Sequence, residues 1–174
     1  MKLDLGIGKY PIEGFVHFDK YPYPNVGILG DATRLPFAND SIDEFVASHI
    51  IEHFPWWHTL EHLAEWYRTV KPGGYIEIQT YDIHLLYATY QSGNLDKMPN
   101  INPNEIPGIW LNRKIFWWEE ADRREENVHK AIYDFPYLQY LLAKAGFHSV
   151  VRLPIEQTHT FAHGKGDMLV RGTK

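Results

Sequence analysis

Short apolar runs closed by a polar or acidic residue dominate the first half of the chain. Residues 2–5 (KLDL), 14–19 (GFVHFD), 25–31 (NVGILGD) and 42–50 (IDEFVASHI) each have strand length and are separated by turn-rich segments. They predict four strands. From Thr59 the apolar positions Leu60, Leu63, Ala64, Tyr67 and Val70 recur at helical spacing, and Lys71-Pro72-Gly73-Gly74 is expected to stop that helix. YIEIQT at 75–80 predicts a fifth strand, and DIHLLYATYQ at 82–91 has a short helical pattern. Further on, Asp134 precedes Phe135-Pro136 and a face of Leu138, Leu141, Leu142 and Ala145, with Gly146 as its stop. HSVVRLP (148–154) and DMLVRGT (167–173) predict two closing strands. In between, 93–107 is loop-like and reads as an insertion, while 108–130 mixes aromatic and charged residues without a clean period.

Strands with interposed helices, followed by a strand pair, predict an α/β fold: a doubly wound, mostly parallel sheet with a terminal antiparallel strand pair. At 174 residues one domain is expected over 1–174, with a lid or insertion at 93–130. A net charge of −5, from 17 basic and 22 acidic residues, argues against nucleic acid and anionic membranes as partners. The chain has no cysteine and no apolar run long enough for a signal peptide or membrane span, so a cytoplasmic protein is expected. Aromatics reach 15%, and the doublets Trp56-Trp57 and Trp117-Trp118 either pack in core and rim or line a pocket.

One segment invites a metal reading. HIIEH, residues 49–53, fits the H-x-x-E-H spelling of inverted zinc proteases, in which His49 and His53 share one helical face and Glu52 acts as base. The β-branched and aromatic run before it and Pro55 after it predict instead a strand entering a turn. No metal site is expected. In an open α/β sheet ligands sit beyond the carboxyl ends of the strands, which groups Gly6, Asp19, Asp31 and Ser48-His49. A glycine turn after the first strand and an acid after the second suit an adenosine ribose. Only residues 6–14 join those strands, too few for the helix N-terminus that a dinucleotide pyrophosphate requires. S-Adenosylmethionine carries no phosphate and can dispense with that helix.

The stretches LDLGIGKYPIEGFVHFD, GDATRLPFANDSIDEFVASHIIEHF and EWYRTVKPGGYIEI, in this order, resemble the class I S-adenosylmethionine-dependent methyltransferases, in particular a small branch with a compressed first crossover. LLAKAGFHSVV and the closing strands extend the likeness more loosely. The resemblance implies a Rossmann-like methyltransferase sheet with S-adenosylmethionine as cofactor. In it Gly6 and Gly8 approach the methionine moiety and Asp19 holds the ribose. Asp31 with Ala32 takes the adenine edge, and Ser48 and His49 border the amino acid and the methyl group. Asp19 and Asp31 read alone are also ordinary turn acids, and Glu52 and His53 are equally suited to capping a helix. His58 and His62 read as solvated.

Against the family pattern, no helix is expected ahead of the first strand and no clear helix between the second and third. The aromatic region 93–130 is then the candidate cover. For a small-molecule oxygen or nitrogen acceptor, a histidine is suited to take the proton, and His53 and His129 are the candidates. The alternative is a cofactor-binding or structural protein with this fold and no transfer activity; a nicotinamide enzyme ranks third.

Overall fold

Alternation along the strands decides how the sheet is covered. The structure, a computed structural model, describes residues 1–8, 10–94, 97–98, 105–116, 127–159 and 166–174. Its strands are β1 (Lys2–Leu5), β2 (Val16–Asp19), β3 (Ile28–Leu29), β4 (Ile42–Ser48), β5 (Val70–Tyr81), β6 (His148–Leu153) and β7 (Asp167–Thr173), in the spatial order β3-β2-β1-β4-β5-β7-β6. β1 to β5 pair in parallel, whereas β7 runs antiparallel to both β5 and β6. This is the mostly parallel sheet with a terminal antiparallel pair that the pattern predicts.

The register places Leu3, Leu5, Phe18, Phe45, Ala47, Ile76, Ile78, Met168 and Val170 on one face, all buried in a single cluster. Helices α1 (Thr59–Thr69) and α4 (Phe135–Ala145) fill the same cluster with Leu63, Trp66, Leu138, Leu141 and Leu142. The other face also buries polar side chains, among them Asp4, Glu77 and Gln79. Glu77 is ion-paired with Arg171 on the neighbouring strand, so its charge is compensated where an apolar residue would be ordinary.

α4 follows its signals closely. The Asp134 carboxylate accepts the Tyr137 N–H, Pro136 stands in the first turn, and Gly146 takes the left-handed conformation that ends the helix. α1 differs in two ways. It ends at Thr69, and residues 71–74 already belong to β5. Its buried face is Thr59, Leu63, Trp66 and Thr69, while Leu60 and Ala64 are exposed. Both threonines can be buried because their hydroxyls are bonded: Thr59 to the Tyr133 hydroxyl at 2.9 Å, and Thr69 as donor to the Trp66 carbonyl at 2.7 Å. Trp66 then sets the rotation of the helix by filling the core.

α2 (Ile83–Gln91) and α3 (Pro107–Phe116) meet beyond the end of β5, where Tyr81, Leu86, Met98 and Trp110 form a second, smaller cluster. Trp110, within the expected lid, is therefore a packing residue. Trp117 and Trp118 lie outside the described residues. Trp56 and Trp57 are 57% and 61% exposed and fill no core. Neither the described part of the β1–β2 connection nor the β2–β3 connection contains a helix. Among the described residues no helix is long and apolar enough to cross a membrane.

Candidate functional site

The carboxyl ends of β1, β2 and β4 lie side by side, and the loops leaving them are tied to one another. Gly6 donates its N–H to the Phe18 carbonyl at 2.8 Å and has a φ of +72°. A Cβ at Gly6 would stand 2.7 Å from Cδ1 of Ile50, so both the backbone conformation and the contact with the β4 exit require glycine. Gly8, also left-handed at +52°, donates its N–H to Oδ2 of Asp19 at 3.1 Å, and Tyr21 donates to Oδ1 at 2.9 Å.

Asp19 is therefore a buried acid folded over the glycine loop. The solvated-turn reading does not describe it. Two of the roughly four lone-pair sites of its carboxylate are used by these backbone donors, which leaves one on each oxygen for a diol. Asp4, one strand position before the loop, is buried and accepts the Ile12 N–H at 3.0 Å. Burial pushes its carboxyl up to about 6 against the pull of that bond.

Asp31 behaves differently. It is exposed, its Oδ1 accepts the Thr33 N–H at 2.8 Å, and that bond holds its carboxyl below the ordinary range. The turn-acid reading thus describes its side chain. Ala32 is buried, and its carbonyl accepts the indole N–H of Trp66 at 2.8 Å, so helix α1 fixes the backbone at the far edge of the site.

β4 ends at Ser48, and His49 follows with a φ of +50°. Residues 51–53 form a single 3₁₀ turn. His49 and His53 hence do not share a helical face, and HIIEH is not laid out as a zinc-protease helix. The His49 ring lies between two carboxylates, with Nδ1 2.8 Å from Oε1 of Glu52 and Nε2 3.3 Å from Oδ2 of Asp167. Burial alone would lower its pKa, but the adjacent Glu52 charge and the bonds to both acids raise it to about 9. Burial of Glu52 acts in the opposite sense and is outweighed by His49, which brings its carboxyl to about 2. Gln79 donates to Oδ2 of Asp167 at 2.9 Å and extends the network along β5.

The two histidines singled out as proton acceptors are brought together. The rings of His53 and His129 meet edge to face, with centroids 4.9 Å apart. His129 is placed by its neighbours: its own N–H goes to the Phe116 carbonyl, and Lys130 and Ala131 both donate to the Glu52 carbonyl. Burial lowers the pKa of His53, and it lowers that of His129 to about 4, so both imidazoles are neutral at neutral pH. His129 and Glu52 line a small cavity together with Thr80, Tyr81, Lys114 and Ile132. His62 is half-buried against the ring of Phe54, 4.7 Å away, rather than fully solvated; His58 is exposed.

Asp167, Gln79 and Lys114 had not been singled out, and Glu52 only as a zinc-protease base or a helix cap. Each left only a faint signal. Glu52 follows two isoleucines, and Asp167 opens the apolar run MLV, so both acids adjoin segments that had to be buried.

A methyltransferase-domain family model matches residues 11–78. Among curated proteins no sequence match is significant. The fold is shared with solved S-adenosylmethionine-dependent methyltransferases. One from Thermotoga maritima is 21% identical with a TM-score of 0.53, over 86% of this chain and 65% of that one. One from Archaeoglobus fulgidus is 16% identical with a TM-score of 0.59, over 99% and 85%. A third, from Methanosarcina mazei, is 14% identical with a TM-score of 0.56, over 91% and 80%. The chain thus spans just under two thirds of the Thermotoga protein's length.

Proposed function

We propose that this chain, which has the class I S-adenosylmethionine-dependent methyltransferase fold and matches the methyltransferase-domain family over residues 11–78, transfers a methyl group to an oxygen or nitrogen of a small acceptor. One observation carries the reading: a buried Asp19 carboxylate, with a free lone pair on each oxygen, closes a loop whose glycines at 6 and 8 are both left-handed. These groups fit a ribose diol and a close backbone approach, and the connection has no helix N-terminus to favour a pyrophosphate. Asp19 would hold the ribose, Gly6 and Gly8 the methionine portion, and Ala32 with Asp31 the adenine edge. Ser48 and His49 would border the amino-acid end. With both His49 ring nitrogens turned to carboxylates, this residue offers the site charge and backbone.

S-Adenosylmethionine, when bound, supplies a methyl group on a sulfonium centre that is displaced in line by the acceptor. The protein's part is chiefly proximity and orientation. Tyr81 and Thr80 at the end of β5, with Leu86, Ile115 and Ala131, line the cavity beside the turn that follows β4. The neutral imidazole of His129, in the cavity wall, takes the acceptor's proton. His53 packs on its ring.

The test is a calorimetric titration with S-adenosylhomocysteine, followed by a methyl-release screen over small alcohols, phenols and amines. Binding together with turnover supports the reading. Binding without turnover on a broad library favours the inactive alternative, and no binding removes the cofactor assignment.

A further inference from the structure

The polar face of the sheet buries Asp4, Glu77 and Gln79, although α1 and α4 pack on the opposite face and α2 and α3 meet beyond the end of β5. Among the described residues, the connection leaving β6 reaches this face: a 3₁₀ turn at Ile155–Gln157, then Thr158 and His159. Thr158 donates its hydroxyl to Oε1 of Gln79. The Gln79 amide in turn donates to Oδ2 of Asp167, which ties the connection to the side chains around His49. Nε2 of His159 stands 3.3 Å from Oε2 of the buried Glu77, two residues back along β5, and its ring meets that of Phe15 with centroids 5.6 Å apart. Phe15 precedes β2, and β1 and β4 stand between β2 and β5. Thr158 and His159 therefore form a strap that starts near the carboxyl ends of the strands and runs across the middle of the sheet.

We infer that this strap closes over the amino-acid end of the cofactor, and that Thr158 is the positioning residue that pins it there. This rests on the methyl-transfer reading given above. Register supplies the placement. Ser48 pairs with Gln79 and Ala47 with Leu5, so Gly6, Ser48 and Gln79 stand in one row, with Ser48 and Gln79 on the face away from the core residues Ala47 and Ile78. Thr158 is seated on Gln79, and neighbouring strands lie about 4.8 Å apart, which sets the strap beside the residue assigned to the amino-acid end. Cover is needed at that point. A small-molecule site encloses most of its ligand's surface, and the described parts of the β1–β2 and β2–β3 connections contain no helix to do so. The anchors hold the strap at both ends: a hydrogen bond beside Ser48, and a carboxylate and a ring further down the face. The hydroxyl acts through its target. The Gln79 amide nitrogen is engaged by Asp167, so its oxygen is turned to the strap and loses that donor when Thr158 has no hydroxyl.

The probes are S-adenosylhomocysteine and methylthioadenosine, which share the nucleoside and the sulfur, while only the first carries the amino-acid end. Both are titrated calorimetrically into the parent, Thr158→Val and Thr158→Ser. Thr158→Val, equal in shape but without the donor, is expected to weaken S-adenosylhomocysteine by about tenfold, the scale of one hydrogen bond, and to leave methylthioadenosine within about twofold. Thr158→Ser is expected to keep the affinity for both. In the parent, amide exchange at residues 157–159 is expected to slow with S-adenosylhomocysteine and not with methylthioadenosine, a measurement that stands even if Thr158→Val does not fold. Equal losses for the two ligands, no loss in Thr158→Val, a serine variant as weak as the valine one, or exchange that responds alike to both ligands overturns the inference. Methylthioadenosine binding by the parent decides the nucleoside part of the cofactor reading. Its absence removes that reading and the strap together, whereas its presence without the expected difference between ligands removes the strap alone.

Discussion

Nδ1 of His49 lies 2.8 Å from Oε1 of Glu52, an ion pair closed within one turn at the exit of β4. Its protonation links the site to the stability of the fold. Burial works against the His49 charge, but Glu52 and Asp167 prevail and its pKa rises to about 9. Stability from His49 is fully present below its ordinary 6.5 and is lost as pH climbs from there through about 9. His129, depressed by burial to about 4, has the opposite sign, since the unfolded chain binds its proton first as pH falls below 6.5. Glu52, whose carboxyl is at about 2, adds a loss below its ordinary 4.5. Asp4, pushed up to about 6, has the opposite sign to His129, gaining stability as pH falls through 6. The expectation is therefore a thermal midpoint that falls from pH 6.5 towards 9, and Glu52→Gln is expected to flatten that limb. A parent profile level from pH 6 to 9 would contradict this.

Asp19→Ala is expected to weaken S-adenosylhomocysteine binding by about ten- to a hundredfold, at about 1.4 kcal/mol per tenfold. Because Gly8 and Tyr21 lose their shared acceptor, a stability loss of roughly 1–3 kcal/mol should accompany it. Asp31→Ala should cost less affinity, since that carboxylate is exposed and engaged with Thr33. Calorimetry on both variants checks the order, and equal losses would reassign the ribose contact.

Trp66 reaches the site only through the Ala32 carbonyl. Trp66→Phe keeps much of the ring packing but leaves that carbonyl without its indole partner, and should lower stability by about 1–3 kcal/mol in denaturant titration. Cofactor affinity should fall with it. Unchanged affinity would separate the Ala32 backbone from the adenine edge.

His129→Gln is expected to slow methyl release by roughly 10²–10⁴, the range for a lost general base. With burial holding its pKa at about 4, the parent rate should stay level well below pH 6.5. An acid limb centred at the ordinary histidine value would point to another group.

Zinc should not bind at HIIEH. A doubly bonded imidazolium has no lone pair for a metal, and His49 is itself left-handed while His53 closes a 3₁₀ turn, so the two do not share a helical face. Chelators should leave the thermal midpoint unchanged. One equivalent of zinc lost with His49→Ala would refute this.

What the sequence made legible was local. β1 to β5, α4 and the spacing of Gly6, Asp19 and Asp31 follow from periodicity and turn chemistry within windows of a few residues. The α1 face did not follow, because two threonines that count as polar in a pattern are buried through bonds to Tyr133 and the Trp66 carbonyl. His53 and His129 were named separately, and only the fold brings their rings into contact. The charge cluster was the least accessible part. Neither Glu52 nor Asp167 signals its partner, and 118 positions separate His49 from Asp167.

Since β7 runs against its neighbour β5, its first residue, not its last, arrives at the edge where the cofactor loops gather. Asp167 therefore reaches His49 only when the closing strand has docked, after a loop closure that is entropically expensive and slow relative to the local turns of β1 and β4. The glycine loop and Asp19 can form beforehand. His49 is thus a reporter as well as a contact: Glu52 holds its proton locally, Asp167 adds its hold only once β7 is in place, and its ring resonance will register the docking of the closing strand.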